Sequence, residues 1–387
     1  MRNSARLLAA WAAVSCLPVF GAQSASIGRF PIEVDTREYL ERIELPPGFR
    51  ISLYHDEVEG ARSMAMGDQG TLFIGTRRAP GGDRMDKVYA LPNPQRAAVA
   101  DKVLTVATGL NVPNGVALHD GDLYVGEIHR IVRYADIEAN LDSPPALQVV
   151  NDSFPDEWHH GWKFIRFGPD GRLYVAVGAP CNICEPRQGQ GTIVSLQPDG
   201  SDKKVYAAGV RNSVGFDWDP YSAELWFTDN GRDVWGEDIP PEELNHAPRA
   251  GLHFGFPYRY GKALVDDEFA TSLGEADFTA AALEFPAHNA LLGMRFYNGK
   301  QFPDEYHGDL FIASHGSWNR KIPDGYKIFR VRMDKGVAVD FEVFASGWLT
   351  PEKEYWGRPV DIELMADGSM LVSDDFAGVV YRISYQP

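Results

Sequence analysis

Short apolar runs recur along the chain, each opened by a turn rich in Gly, Asp or Asn. They read DQGTLFIGT from Asp68, DGDLYVGE from Asp120, DGRLYVAVG from Asp170, SAELWFTDNG from Ser222, HGDLFIASHG from His307 and DGSMLVSDD from Asp367. With Leu72, Leu123, Leu173, Leu225, Leu310 and Met370 as equivalent points, the separations are 51, 50, 52, 85 and 60 residues, the period of a four-stranded propeller blade. A second strand precedes each turn, in RSMAMG, NGVALH, KFIRFG, SVGFDWD, GMRFYN and PVDIELM, alternating or continuously apolar as half-buried or buried strands are. Outer strands are visible in KVYAL, RIVRY, GTIVSL, YKIFRVRM and VVYRISY, and helical periodicity is almost absent. The pattern predicts an all-β chain, a six-bladed β-propeller with four-stranded antiparallel blades, in a single domain over residues 25–387. The segment FRISLYHD, before the first repeat, has no turn of its own and is expected to complete the last blade, closing the ring and hiding both edges.

The 85-residue interval holds an insertion over residues 231–285, containing GEDIPPEELN and HFGFPYRYG. Long loops in a compact domain are usually functional. Its acids Asp233, Glu237, Asp238, Glu242 and Glu243 offer oxygen ligands for a hard cation, although a solvated acidic loop is the simpler reading for most of them.

In a propeller the innermost strand starts, and the next one ends, on one face around the axis. Residues just before the first strands are Arg62, Asn114, His160, Arg211 with Asn212, His288 with Asn289, and Arg358. Just after the second strands come Thr76 and Arg77, Glu127 and His129, the Cys181 loop, Asp229 and Asn230, His315, and Asp374 with Asp375. Solvated loops explain scattered polar residues, but Arg, His and Asn recurring at one register point to a binding site. Guanidiniums around a concave pocket suit a polycarboxylate or phosphate, because planar forks bind such anions bidentately. A histidine there is the natural general base, and of the adjacent His159 and His160 only one can face the axis in extended backbone.

Charge and cysteines narrow the setting. A net charge of −17 argues against nucleic acid, whose binding depends on Lys and Arg replacing counterions. Arg2 and Arg6 precede an apolar stretch over residues 7–20 and then GAQSAS, which predicts a signal peptide over residues 1–24 and export, in a bacterium to the periplasm. No stretch is long and apolar enough to predict a membrane span. Cys16 lies in that leader, where AVSC makes a poor lipidation site. Cys181 and Cys184, in CNIC, are the remaining pair, and an exported location favours a small-loop disulfide between them.

These residues resemble those of the soluble glucose and sorbosone dehydrogenases that use pyrroloquinoline quinone (PQQ), the sorbosone branch in particular. The resemblance spans nearly all of the chain after its leader, most tellingly in HHGWKFIRFGPDGRLYVAVGAPCNIC, GVRNSVGFDWDP, LWFTDNGRD, HFGFP, GSWNR and GRPVDI. It implies a six-bladed propeller with the tricarboxylate quinone on the axis, a sugar or aldehyde substrate, and an electron acceptor that the sequence does not name. Aligned through GPDG, it puts His160 in the place of the base, with His159 the fallback. Arg211 and Asn212 match the cofactor-contacting Arg-Asn pair, Arg211 also stabilising the reduced quinone, and Arg358 matches a cofactor-carboxylate Arg. Arg62, Asn114, His288 and Arg320 join the expected cofactor set, Arg320 as one substitute for a lysine that aligns near Gly316. Calcium is implied at the backbone carbonyls of Gly231 and Arg232. Ala179 stands where the family's glucose enzymes have an acid beside the base, so the partner of His160 must come from elsewhere, with Glu157 or Asp156 the candidates. Two rival readings are a calcium-dependent lactonase, which needs a carboxylate-lined axis, and a non-catalytic binding propeller.

Overall fold

The structure, a computed structural model, describes residues 34–79, 82–187, 189–269 and 277–387. The expected leader and Cys16 lie outside these residues. Six small sheets, each with four antiparallel strands, form a ring, and all but the last are built in chain order. The innermost strands are Ala61–Met66, Gly115–His119, Ile165–Phe167, Phe216–Trp218, Leu291–Phe296 and Pro359–Leu364. Beside them run Thr71–Thr76, Asp122–Gly126, Leu173–Val177, Leu225–Asp229, Leu310–Ser314 and Met370–Asp374. These twelve are the strands expected on either side of each repeating turn.

Closure is as expected. Phe49–His55 pairs antiparallel with Val379–Tyr385 and becomes the outermost strand of blade 6, so the first and last strands of the ring share one sheet. Phe49 packs edge-on against Phe302, Tyr306, Phe344 and Tyr385, which ties that strand to blade 5 as well. One apolar cluster fills each gap between neighbouring blades; that between blades 6 and 1 joins Tyr54, Leu371 and Val380 to Met64, Leu72 and Ile74. Burial of such wedge-shaped layers at roughly 25 cal/mol per Å² is the main force holding a ring whose blades share few hydrogen bonds.

Near the axis the blades also meet through polar atoms. Pairing lapses in three innermost strands, between Ala61 and Met64, Leu291 and Met294, and Pro359 and Ile362. The freed residues serve a neighbouring blade: the Ser63 hydroxyl accepts from Val116 N, the Asp361 carboxylate accepts from Met64 N, and the Leu292 carbonyl accepts from the Thr228 hydroxyl. A Cβ on Gly215 would lie 2.1 Å from the Leu292 oxygen, so only glycine lets blades 4 and 5 approach this closely. At the opposite end of these strands Arg295 pairs with Glu363 and Arg166 with Asp217.

Two features differ from expectation. The EELN residues, read within an acidic loop, begin the third strand of blade 4, Glu242–Ala247, with Glu242 and Glu243 both buried. The true insertion is shorter and crosses to the outer edge of blade 3, where Leu252–His253 pairs parallel to Lys204–Ala208. The outermost strands of blades 1 to 5 left no sequence signal, because they face water: Gln148–Asn151 buries none of its four residues.

Candidate functional site

A cavity of about 450 Å³ opens on the axis at the face where the innermost strands begin. It is lined by Arg62, His160, Arg211, Asn212, Gly231, His288 and Arg358 among the expected residues, together with Arg77, Arg78, Trp162, Asp233, Glu242, His315, Trp318 and Asn319. The register therefore converges as the repeat predicts.

His160 lies in the left-handed region, at φ 51°, which turns its side chain inward while His159 stays exposed. Its Nδ1 is 2.9 Å from the carbonyl oxygen of Ala179, and a carbonyl only accepts, so Nδ1 carries the proton and Nε2 keeps its lone pair. The missing acid of Ala179 is thus replaced by that residue's own backbone, and neither Asp156 nor Glu157 orients the ring. Burial, with the Arg211 guanidinium nearby, holds the imidazole well below its usual range, so it is neutral at neutral pH. Gly178 makes room for it: a Cβ there would come within 2.5 Å of the His160 Cβ.

Arg211 is held from three sides. Its Nε donates to the Asn182 carbonyl at 2.8 Å, one Nη to the Asn230 carbonyl at 3.0 Å, and the other to Asn182 Oδ1 at 2.8 Å and Asp233 Oδ2 at 3.1 Å. Asn182 sits between Cys181 and Cys184, which form the expected disulfide. The loop closed by that bond is a bracket for the arginine. The backbone N–H groups of Arg211 and Asn212 both donate to the Asp229 carboxylate, which burial pushes up to about 6 despite them.

On the far wall, Arg62 is fully buried and donates to Asp375 at 2.9 Å and to Asn114 Oδ1 at 3.0 Å. Arg358 donates to the carbonyls of His315 and Gly316. His315 Nε2 lies 2.7 Å from Asp375, and burial with Arg358 close by brings that imidazole down to about 3. Burial opposes ionisation of Asp375, but His315, Arg62 and Arg358 outweigh it and hold the carboxyl well below the usual range.

Gly231 lines the cavity and its N–H donates to Glu242, which also accepts from Ala290 N and which burial pushes up to about 8. His288 is oriented from both sides, its Nε2 by the Gly236 carbonyl at 2.7 Å and its Nδ1 by Asn319 at 3.3 Å. Asn319 Oδ1 is buried with no partner.

Three expected contact residues lie outside the lining. Asn114 sits beneath Arg62, bridging it to the Lys163 carbonyl, and so acts on the site through that arginine. Arg232 turns away to pair with Asp266 at 2.6 Å, leaving only its backbone near the loop. Arg320 pairs with Asp238 and reaches the carbonyls of Glu237 and Ala287, tying down the loop at the mouth. Among the lining residues outside the expected contacts are Arg77 and Trp162. Arg77 stands at the right register, but nothing in its neighbours singles it out; Trp162, in HHGWKF, reads as core. No three His, Cys, Asp or Glu side chains come together as a metal-holding group among the described residues.

The chain matches the glucose/sorbosone dehydrogenase family over residues 127–375. An uncharacterized protein of Borreliella burgdorferi is 32% identical over 373 residues, covering 92% of this chain and 94% of that protein. Among solved structures, the holo form of the PQQ domain of pyranose dehydrogenase from Coprinopsis cinerea is similar with a TM-score of 0.72 at 18% identity, over 88% of this chain and 97% of that one. The PQQ-bound aldose sugar dehydrogenase of Streptomyces coelicolor is similar with a TM-score of 0.62 at 18% identity, over 88% and 99%. At such identities the structural likeness speaks for the shared fold.

Proposed function

The chain belongs to the glucose/sorbosone dehydrogenase family, and from that premise we propose that its axial cavity binds PQQ and calcium and oxidises an aldose, a sugar aldehyde or a related polyol. The observation that carries this reading is the neutral His160, fixed with its proton on Nδ1 and its bare Nε2 beside a cavity of guanidiniums.

The residues present fit a tricarboxylate. Five arginines line the cavity, and two of them, Arg211 and Arg358, are fixed there by backbone carbonyls. For calcium, the carbonyls of Gly231 and Arg232 accept no hydrogen bond among the described residues, which leaves both free to coordinate. A bound quinone would supply the hydride acceptor and a calcium ion at the Gly231 and Arg232 carbonyls would supply Lewis acidity. The protein's part is positional and protonic. Nε2 of His160 takes the proton of the substrate hydroxyl, and the resulting imidazolium is stabilised through Nδ1 by the Ala179 carbonyl. Arg211, held by Asn182, Asn230 and Asp233, keeps a fixed positive charge where negative charge accumulates and needs no reorganisation to do so. Arg358 and Asn212 would hold the carboxylates of the quinone.

Export to the periplasm is part of the proposal, supported by the leader pattern and by the Cys181–Cys184 disulfide. Among the described residues no helix is long and apolar enough to cross a membrane. The lactonase reading requires a metal held by side chains on the axis, whereas the lining carboxylates Asp233 and Glu242 are taken up by Arg211 and by the Gly231 and Ala290 N–H groups, and no three His, Cys, Asp or Glu side chains gather among the described residues.

The test is reconstitution of purified protein with PQQ and calcium, followed by dye reduction with a panel of aldoses and sugar aldehydes. His160→Gln is expected to lower kcat by roughly 10²–10⁴ while PQQ still binds. Undiminished turnover in that variant would remove His160 from the chemistry, and failure to bind PQQ would reject the function.

A further inference from the structure

Of the five guanidiniums lining the axial cavity, three have anionic or carbonyl partners: Arg62 with Asp375, Arg211 with Asp233 and Asn182, and Arg358 with two carbonyls. Arg77 and Arg78 have no carboxylate partner among the described residues. Arg78 is exposed and lies over the Trp158 ring. Arg77 differs: its guanidinium carbon is 3.5 Å from the centroid of the Trp162 ring and its Nε is buried with no partner. Its two Nη groups make no hydrogen bond either, and they are absent from the buried set, so they remain accessible from the cavity that Arg77 lines. Burial and the neighbouring Arg62 charge push this guanidinium well below the ordinary arginine range, the mark of a cation short of an anion.

Trp162 also meets His160 edge-on, with ring centroids 5.9 Å apart. Arg77 and the base therefore share one aromatic wall. Beyond it Trp158 stands edge-on to Trp162, with the Arg84 guanidinium 3.9 Å from the centroid of the Trp158 ring. Charge balance points the same way. Five lining guanidiniums face two pairing carboxylates, Asp233 and Asp375, and the lining Glu242, pushed up to about 8 by burial, is mostly neutral at pH 7, which leaves a surplus of about three positive charges. A bound tricarboxylate with its divalent cation brings a net charge of about −1, which leaves a surplus of about two.

We propose that Arg77, seated on Trp162 beside His160, recognises an anionic group of the substrate, so that the preferred substrates are sugars bearing a carboxylate or phosphate. This rests on the reading that the cavity holds PQQ and a sugar. A guanidinium stacked flat on an indole keeps its edge donors free to bind an oxyanion through parallel N–H···O bonds.

Calorimetry with D-glucuronate and D-glucose, on the protein with and without PQQ and calcium, tests the proposal. Glucuronate is expected to bind roughly 10–100-fold more tightly than glucose, the range for a charge-assisted hydrogen bond. Arg77→Met should remove most of that preference, and Arg77→Lys, which keeps the charge without the fork, should retain part of it. PQQ titrations of the same variants, read by quinone absorbance, separate the two sources of carboxylate: a larger loss for PQQ than for glucuronate assigns Arg77 to the cofactor and overturns the proposal. Equal affinity for the two sugars in the unaltered protein overturns it as well. If the protein binds no PQQ yet prefers glucuronate through Arg77, the anion site stands and the dehydrogenase reading falls.

Discussion

Asn182→Ala isolates the bracket that the disulfide loop forms around Arg211. The substitution leaves the Asn182 carbonyl in place but removes three side-chain hydrogen bonds: Arg211 Nη to Oδ1 at 2.8 Å, Asp233 N to Oδ1 at 2.8 Å, and Nδ2 to the Asp233 carbonyl at 2.9 Å. The first is charge-assisted, at about 1.5–3 kcal/mol, and the other two are ordinary, at about 1 kcal/mol each. Arg211 keeps Asp233 and two carbonyls, and the half-buried loop admits water, so the net loss is about 2–4 kcal/mol. Unfolding entropy of about 2.1 cal/mol/K per residue over 387 residues gives about 0.8 kcal/mol/K, hence a melting temperature lower by about 3–5 °C. Scanning calorimetry on the oxidised protein reads this directly. PQQ affinity, followed by quinone absorbance, should fall together with the melting temperature, because Arg211 loses one of the groups that aim it. A shift below about 1 °C with unchanged PQQ affinity would show that Arg211 is held equally well without Asn182, and the bracket argument would fail.

Other consequences are as concrete. Gly215→Ala puts a Cβ 2.1 Å from the Leu292 oxygen and 2.7 Å from the Gly293 Cα, both backbone atoms that cannot rotate aside, so denaturant unfolding should show a loss of at least about 1–3 kcal/mol. Phe49→Ala empties the centre of four edge-on aromatic pairs on the strand that closes the ring, with an expected cost of about 3–5 kcal/mol; a loss under about 1 kcal/mol would mean that ring closure does not depend on this packing. His160 must be neutral to accept a proton, and its folded pKa lies well below the ordinary 6.5, so kcat/KM should hold from neutral pH downward and fall only below 6.5. An acidic limb at or above 6.5 in the pH profile would contradict the environment derived for this ring.

What was legible in the sequence follows from where each strand lies. The two inner strands of every blade are sandwiched between neighbours, so both their faces are apolar and the turn between them recurs at a countable interval. The outermost strands face water and carry no such pattern, as in Lys204–Ala208, which begins with two exposed residues. Blade 4 shows a different cause. Glu242 and Glu243 read as solvated acids, yet they are buried because the N–H groups of Gly231, Ala290 and Gly261, supplied by distant loops, satisfy their oxygens. The register of the candidate site was also visible, since loop residues before the first strands and after the second strands share one face in any propeller. That register by itself places His160, Arg211 and Arg358 around the axis.

The sequence by itself determined the number of blades, the closing strand and the ring of residues that face the axis, because these follow from local periodicity and chain order. Only the tertiary structure decided which of those residues are spoken for. Arg62 finds its carboxylate 313 positions away in Asp375, Asn114 is taken up beneath it, and Arg211 is claimed by a disulfide loop. Arg77, equal to them in register, is left with an indole and no anion. A partner is a matter of distance in space, and ring closure sets those distances by bringing the two ends of the chain together around one cavity.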